Sequence, residues 1–258
     1  MSIPSSLTRE ELFEIARGVS QRQGWDFSQV RDARDPVPWE YEDVVRRYLR
    51  PGDRVLDCGT GGGERFLALR DAYARGLGVD PDPAMLATAR AQAAALDATH
   101  VTFARGRAEA LPAADGSMDV VLNRHANVDV AETLRVLRPG GLFITQQVGW
   151  NNLSAICTVM GCGPGGAYAW DAQETIHRLA DAFRGQGGVV LAVAEYDVPY
   201  HFLDVASLLF LLMGVGLPED FDLDTHWRQV LEIIQRDATP HGIRSNEHRE
   251  LLIVRKGA

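Results

Sequence analysis

Arg54-Val55-Leu56-Asp57-Cys58-Gly59-Thr60-Gly61-Gly62-Gly63-Glu64 is the stretch whose reading decides the fold. Val55 and Leu56 read as a short buried strand that ends in an acid. The glycines behind them permit a sharp turn and let bare backbone N–H groups come close to a ligand. Phe66, Leu69 and Tyr73 then recur at helical spacing, which sets the loop at a helix N-terminus. Strand, glycine loop and helix in that order outline a nucleotide pocket, and the glycine spacing separates the kinds of nucleotide. A dinucleotide loop of the form G-x-G-x-x-G would need glycine at position 64, where Glu64 stands, or at position 66, where Phe66 stands. Neither frame fits.

The residues downstream carry the argument further. Leu77-Gly78-Val79-Asp80-Pro81 is a second short strand ending in an acid, about twenty residues on, where a doubly wound fold sets a carboxylate against ribose hydroxyls. Asp80 is therefore the ribose candidate. Read alone it is equally a turn residue, because Asp82-Pro83 behind it is a cap followed by a helix-starting proline. Three more blocks follow: Arg107-Ala108-Glu109-Ala110-Leu111-Pro112, Ser117-Met118-Asp119-Val120-Val121-Leu122, and Leu134-Arg135-Val136-Leu137-Arg138-Pro139-Gly140-Gly141. With acid-x-G-x-G-x-G from Asp57 to Gly63, these blocks resemble, in order and spacing, the class I S-adenosylmethionine-dependent methyltransferases. The likeness is nearest to their type 11, ubiquinone/menaquinone-biosynthesis-like branch. It covers residues 40–148, and the remainder matches in outline only.

That resemblance implies S-adenosylmethionine as cofactor and S-adenosylhomocysteine as product. It implies that Gly59, Gly61 and Gly63 let the backbone approach the methionine part, and that Asp57 orders the loop or binds the amino group through water. Asp80 and Pro81 fall at the ribose, and Ala108 offers its backbone N–H to the adenine ring. Arg107 departs from the family pattern, since an acid or amide often stands there to accept from the adenine amino group, whereas a guanidinium only donates. Glu109 is the candidate substitute; otherwise Arg107 stacks on the ring or points to solvent. Asn123-Arg124-His125-Ala126-Asn127 falls beside the transferable methyl in this fold. His125 is the candidate general base for a phenol or alcohol acceptor. The competing reading gives His125 a structural hydrogen bond and turns Asn123 or Arg124 to the cofactor. His201 is a second, less favoured base.

The fold expected is α/β: a Rossmann-like, doubly wound, seven-stranded, mostly parallel sheet with helices on both faces. From Asp53 to Gln147 strand and helix patterns alternate, which is the mark of a parallel sheet. The strands read as Val55-Leu56, Leu77-Val79, Val101-Phe103, Met118-Leu122, Leu142-Thr145, Val189-Tyr196 and Leu251-Val254. Residues 1–50 read as an N-terminal helical lid, with a capping box from Thr8 to Glu11. Trp25, Phe27, Trp39 and Tyr41 either wall the substrate site or anchor the lid helices. Residues 51–258 read as the cofactor domain, with helices inserted at about 197–240 before the last strand. The inserted helix Val205 to Met213 is almost wholly apolar, which suits an acceptor pocket, a core helix or a dimer contact. The glycine-rich run Gly161 to Gly166 is either a mobile gate or a plain connection.

Composition bounds the function classes. The chain has 258 residues, 46% of them hydrophobic, and a formal net charge of −9. An acidic chain is poorly suited to live on nucleic acid, whose phosphates demand a basic footprint. The position after the fourth strand reads Asn123-Arg124-His125-Ala126 rather than the N/D-P-P-Y block of base-directed amino methyltransferases. A small-molecule acceptor is preferred on these grounds, transferred to at oxygen, nitrogen or carbon. A nucleic-acid or protein methyltransferase, or a non-catalytic S-adenosylmethionine-binding protein, is the alternative. Cys58, Cys157 and Cys162 form no pair of C-x-x-C units, so no zinc site is indicated. The polar start, Met1 to Ser6, and the short apolar run Val205 to Val215 imply a cytoplasmic protein that does not enter a membrane. The chain is expected to be a monomer or homodimer.

Overall fold

The computed structural model describes residues 7–22, 25, 27–163, 166 and 175–257. They fall into two compact units, each drawn from three chain segments. One comprises Pro38–Gly149, Glu174–Glu195 and Arg249–Ala258; the other comprises Met1–Val37, Trp150–Gln173 and Tyr196–His248. Residue 50, the lid boundary of the sequence reading, lies inside the unit that begins at Pro38.

That unit contains the helices α2 (Tyr41–Tyr48), α3 (Glu64–Ala68), α4 (Pro83–Ala95), α5 (Val130–Val136) and α7 (Ile176–Gly185). Its strands are β2 (Arg54–Cys58), β3 (Arg75–Asp80), β4 (Val101–Arg105), β5 (Met118–Arg124) and β6 (Leu137–Val148), with the halves 188–195 of β7 (Gly188–Phe202) and 249–256 of β9 (Gly242–Lys256). The order is β4-β3-β2-β5-β6-β9-β7. β2 runs parallel to both β3 and β5, β3 to β4 and β5 to β6, whereas β9 is antiparallel to β6. Chain order therefore reverses at β2, and the carboxyl end of β2 is the place where such sheets bind ligands.

Both faces of this sheet are covered, so its strands are apolar at consecutive positions rather than alternate ones. Val55, Leu122, Ile144, Leu251 and Ile253 point to the side of α2, α3 and α4, where they meet Tyr41, Val45, Phe66, Leu67, Leu86 and Ala89. Leu56, Val121, Phe143 and Leu252 point the other way, onto Leu134 of α5 and Ile176, Ala180 and Phe183 of α7. α4 begins as its sequence suggests: Asp82 caps it by accepting from the Ala84 N–H at 2.8 Å, and proline opens the first turn.

The other unit contains α1 (Arg9–Arg17), α6 (Ser154–Val159), α8 (Val205–Val215) and α9 (Leu223–Asp237), two short strands, β1 (Asp32–Arg34) and β8 (Ala238–Thr239), and the remaining halves of β7 and β9. β1 pairs antiparallel with β7, and β8 with β9. The Thr8–Glu11 capping box forms at the start of α1. Leu12, Ile156, Leu208, Leu209, Leu212, Val230, Ile233 and Ile234 make this unit's core, so α8 is apolar because it is a core helix. Phe27 meets Phe210 edge to face at 6.1 Å, and Trp25 is exposed.

The described residues hold nine strands where the sequence suggests seven. The two additional ones, Asp32-Ala33-Arg34 and Ala238-Thr239, have no apolar alternation to reveal them; they form by pairing with long strands already in place. β7 and β9 extend well beyond the apolar cores read as strands. α3 is shorter than its pattern: it stops at Ala68, and Tyr73 lies in extended backbone, stacked on Phe66 at 5.2 Å. Pro164 and Gly165, part of the glycine-rich run read as a gate or a plain connection, lie outside the described residues.

Candidate active site at the strand carboxyl ends

The glycine loop is tied to the neighbouring strand by backbone hydrogen bonds. After β2, the N–H groups of Gly59 and Thr60 both donate to the Val79 carbonyl, at 2.8 and 3.0 Å. Gly59 has φ 79°, and a Cβ there would lie 2.3 Å from the Ala126 Cβ. Only glycine lets the loop after β2 pass the loop after β5 so closely. Gly63 has φ 84° and caps α3, which starts at once behind it.

Asp80 closes this arrangement from β3. One carboxylate oxygen accepts from the Gly61 N–H at 2.9 Å and the other from the Asp82 N–H at 2.9 Å. Each oxygen keeps a lone pair for another donor. Asp80 is thus both the turn residue and the acid beside the glycine loop, and the two readings of the sequence are compatible. Its backbone carbonyl accepts from Gly106, which brings the turn Arg107 to Ala110 to the same edge. Within that turn Ala108 is buried, while Arg107 and Glu109 are exposed. Pro81 is exposed, and its carbonyl accepts from Arg105 Nε at 3.1 Å.

Asp57 is buried at the end of β2. Burial pushes its carboxyl up to about 6; the nearby Thr60 hydroxyl and Arg124 guanidinium oppose that shift, and Asp80 adds to it. Asp57 pairs in register with Leu122. Arg124, two residues further along β5, therefore projects from the same face, and Gln146 of β6 is in register with Arg124. Arg124 makes no hydrogen bond or ion pair among the described residues, and its Nε is buried.

The segment after β5 is held by its neighbours. The Asn123 side chain, fully buried, donates to the Asn127 carbonyl at 2.9 Å and accepts from Thr145 Oγ1 at 3.2 Å and Gln147 Nε2 at 2.7 Å. Both acceptor sites of its oxygen are taken by β6 and one of its two N–H donors by its own loop. Tyr41 reaches in from α2, its hydroxyl 3.2 Å from the carbonyls of both Asn123 and Ile144. Trp39 Nε1 donates to Gln146 Oε1 at 3.2 Å. His125 has φ 57° and donates its N–H to the Gln146 carbonyl at 3.0 Å. Burial, then the guanidinium groups of Arg124, Arg249 and Arg65, hold its imidazole well below 6.5. His125 is therefore neutral at pH 7, able to accept a proton but weakly basic.

The structure brings Asp57, Gly59, Gly61, Gly63, Asp80, Ala108, Asn123 and His125 to one sheet edge in one unit. His201 lies in the other unit, edge to face with His241 at 6.4 Å. Gln146 and Gln147, absent from the candidates read in the sequence, organise the loop after β5. Their signal, a pair of glutamines closing the fifth apolar strand, is visible but names no partner.

A protein-family model described as "Methyltransferase domain" matches residues 55–141. The arsenite methyltransferase of Halobacterium salinarum is 40% identical over 142 residues, covering 50% of this chain and 36% of that protein. The ubiquinone biosynthesis O-methyltransferase of Cereibacter sphaeroides is 30% identical over 170 residues, covering 61% and 64%. The chain spans less than two thirds of the length of either relative. Among solved structures, the YcgJ protein of Bacillus subtilis has the same fold, with TM-score 0.63, 19% identity, and coverage of 84% of this chain and 98% of that one. The glycine loop tied to Asp80 and the strand order agree with the match of residues 55–141 to a methyltransferase domain, and this part of the chain resembles the class I S-adenosylmethionine-dependent family.

Proposed function

We propose that the chain is an enzyme that transfers a methyl group from S-adenosylmethionine to a small-molecule acceptor. The observation that carries this reading is the glycine loop after β2 hydrogen-bonded to Asp80 at the end of β3, where chain order reverses. The residues present fit the cofactor. Gly59 and Gly61, having no side chains, let the backbone run close beside the methionine part, Asp80 keeps acceptor capacity for the ribose, and Ala108 lies buried at the adenine end. Arg107, exposed, projects to solvent and leaves the adenine amino group to another acceptor.

When bound, the cofactor supplies an activated methyl group on a sulfonium. The chain's own task is then to align the acceptor and exclude water. Trp39 and Tyr41 support the loop that carries His125 and wall that edge. His125 accepts the acceptor's proton where the reacting group is a hydroxyl. The low basicity of His125 favours acceptors that lose that proton easily, a phenol before an aliphatic alcohol.

A small acceptor is supported by the formal charge of −9 and by the names of the relatives, one for arsenite and one for an O-methylation in ubiquinone biosynthesis. No described helix is long and apolar enough to cross a membrane; we place the enzyme in the cytoplasm. The test is calorimetric titration with S-adenosylmethionine and S-adenosylhomocysteine, followed by a screen of phenolic acceptors. Full turnover by His125→Ala on the best acceptor would remove the base role and leave the cofactor assignment standing.

A further inference from the structure

We infer that Arg124 binds the carboxylate of the cofactor's amino-acid end, while Asp57 faces its ammonium group, so that the two residues together read a zwitterion. The inference rests on the S-adenosylmethionine reading above. Asp57 and Leu122 are in register on β2 and β5, and Arg124 is two residues beyond Leu122, so acid and guanidinium share one face of adjacent strands. Two residues along a strand is on the order of 6–7 Å. The pair is therefore close enough to feel one another's charge but forms no ion pair. An amino acid presents its two charges on one carbon, and an acid and a guanidinium separated by this span can grip both at once.

The surroundings leave Arg124 to a ligand. Glu42 of α2, an acid whose charge acts on Arg124, is committed to Arg65 at 2.8 Å. Gln146, its register neighbour, accepts from Trp39 through Oε1. No described protein group hydrogen-bonds the Arg124 guanidinium, and its Nε is shut off from water. A buried donor without a partner is costly, and a carboxylate would satisfy it with charge-assisted bonds. The position is equally informative: Arg124 is the last residue of the strand whose following loop meets the glycine loop through Ala126 and Gly59.

The experiment is calorimetric titration of the full chain with S-adenosylhomocysteine and with 5′-methylthioadenosine, which keeps the nucleoside and thioether but lacks the amino-acid end. Both should bind the unmodified chain, the former more tightly. Arg124→Met should weaken S-adenosylhomocysteine at least tenfold and leave 5′-methylthioadenosine within about twofold, with Arg124→Lys in between. Unchanged S-adenosylhomocysteine affinity in Arg124→Met would overturn the inference, and so would an equal loss for both ligands, which would mean a structural role. If the unmodified chain bound both ligands equally, this inference would fail and the methyltransferase reading would stand. Binding of neither ligand would defeat that reading itself.

Discussion

The two strand edges that meet at the site are built by opposite means. At the ends of β2 and β3 the work is done by backbone: the N–H groups of Gly59, Thr60 and Gly61 go to Val79 and Asp80, and one acidic side chain ties two turns. At the ends of β5 and β6 it is done by side chains: Thr145 and Gln147 donate to the Asn123 side chain, Tyr41 to the carbonyls of Asn123 and Ile144, and Trp39 to Gln146. Backbone construction leaves a mark in the sequence, because glycine at positive φ and an acid at a strand end have few substitutes. Side-chain construction leaves little, because its partners lie as far as 107 residues apart and many combinations satisfy the same groups.

The contact between the edges offers the largest test. Gly59→Ala would put a methyl group into Ala126 at a backbone conformation alanine resists, and should cost about 2–4 kcal/mol of unfolding free energy. Adding Ala126→Gly should return part of that loss, while the backbone strain remains, and denaturant unfolding of the double-mutant cycle measures the coupling. Next in size, Asp80→Asn replaces one acceptor oxygen by a donor facing a backbone N–H. It should destabilise the chain by about 1–3 kcal/mol and reduce S-adenosylhomocysteine binding beyond calorimetric detection.

A pH series separates the edges by charge. Asp57 is protonated more readily in the folded chain than in the unfolded one, so it stabilises the free protein below about pH 4, and this contribution is lost as pH rises through about 6. An ammonium group beside Asp57 favours the carboxylate. S-adenosylhomocysteine affinity should accordingly rise by up to about tenfold per pH unit below pH 6 and level off above it. Asp57→Asn should flatten that slope. The smallest effect belongs to Arg107: Arg107→Ala should change cofactor affinity by about twofold or less, because the side chain lies in solvent and an exposed charge contributes little.

Much of the fold is legible in the sequence because the parallel strands are covered on both sides. Val55-Leu56, Val121-Leu122 and Phe143-Ile144 must each be apolar at both positions, and such runs stand out. The short strands β1 and β8 are not legible, since Asp32-Ala33-Arg34 acquires its conformation from β7 rather than from its own pattern. The end of α3 is lost for a related reason: Phe66, Leu69 and Tyr73 are all buried and keep helical spacing, yet the chain leaves the helix at Ala68 and lets Tyr73 stack back from extended backbone. At the site, Asp80 and the glycines were readable, and the commitment of Asn123 to its own loop was not. Its partners Thr145 and Gln147 come from β6, and no local spacing connects them to it. Arg124 was visible only as one of two residues that face the cofactor if His125 does not; its lack of a partner emerges only in three dimensions.

The central claim is that the β2–β3 edge holds S-adenosylmethionine through Asp80. Its most direct measurement is calorimetric titration of the unmodified chain and of Asp80→Ala with S-adenosylhomocysteine and with NAD. The account predicts that S-adenosylhomocysteine binds the unmodified chain and not the variant, and that NAD binds neither. Tighter binding of NAD, or S-adenosylhomocysteine affinity that survives the loss of Asp80, would contradict it.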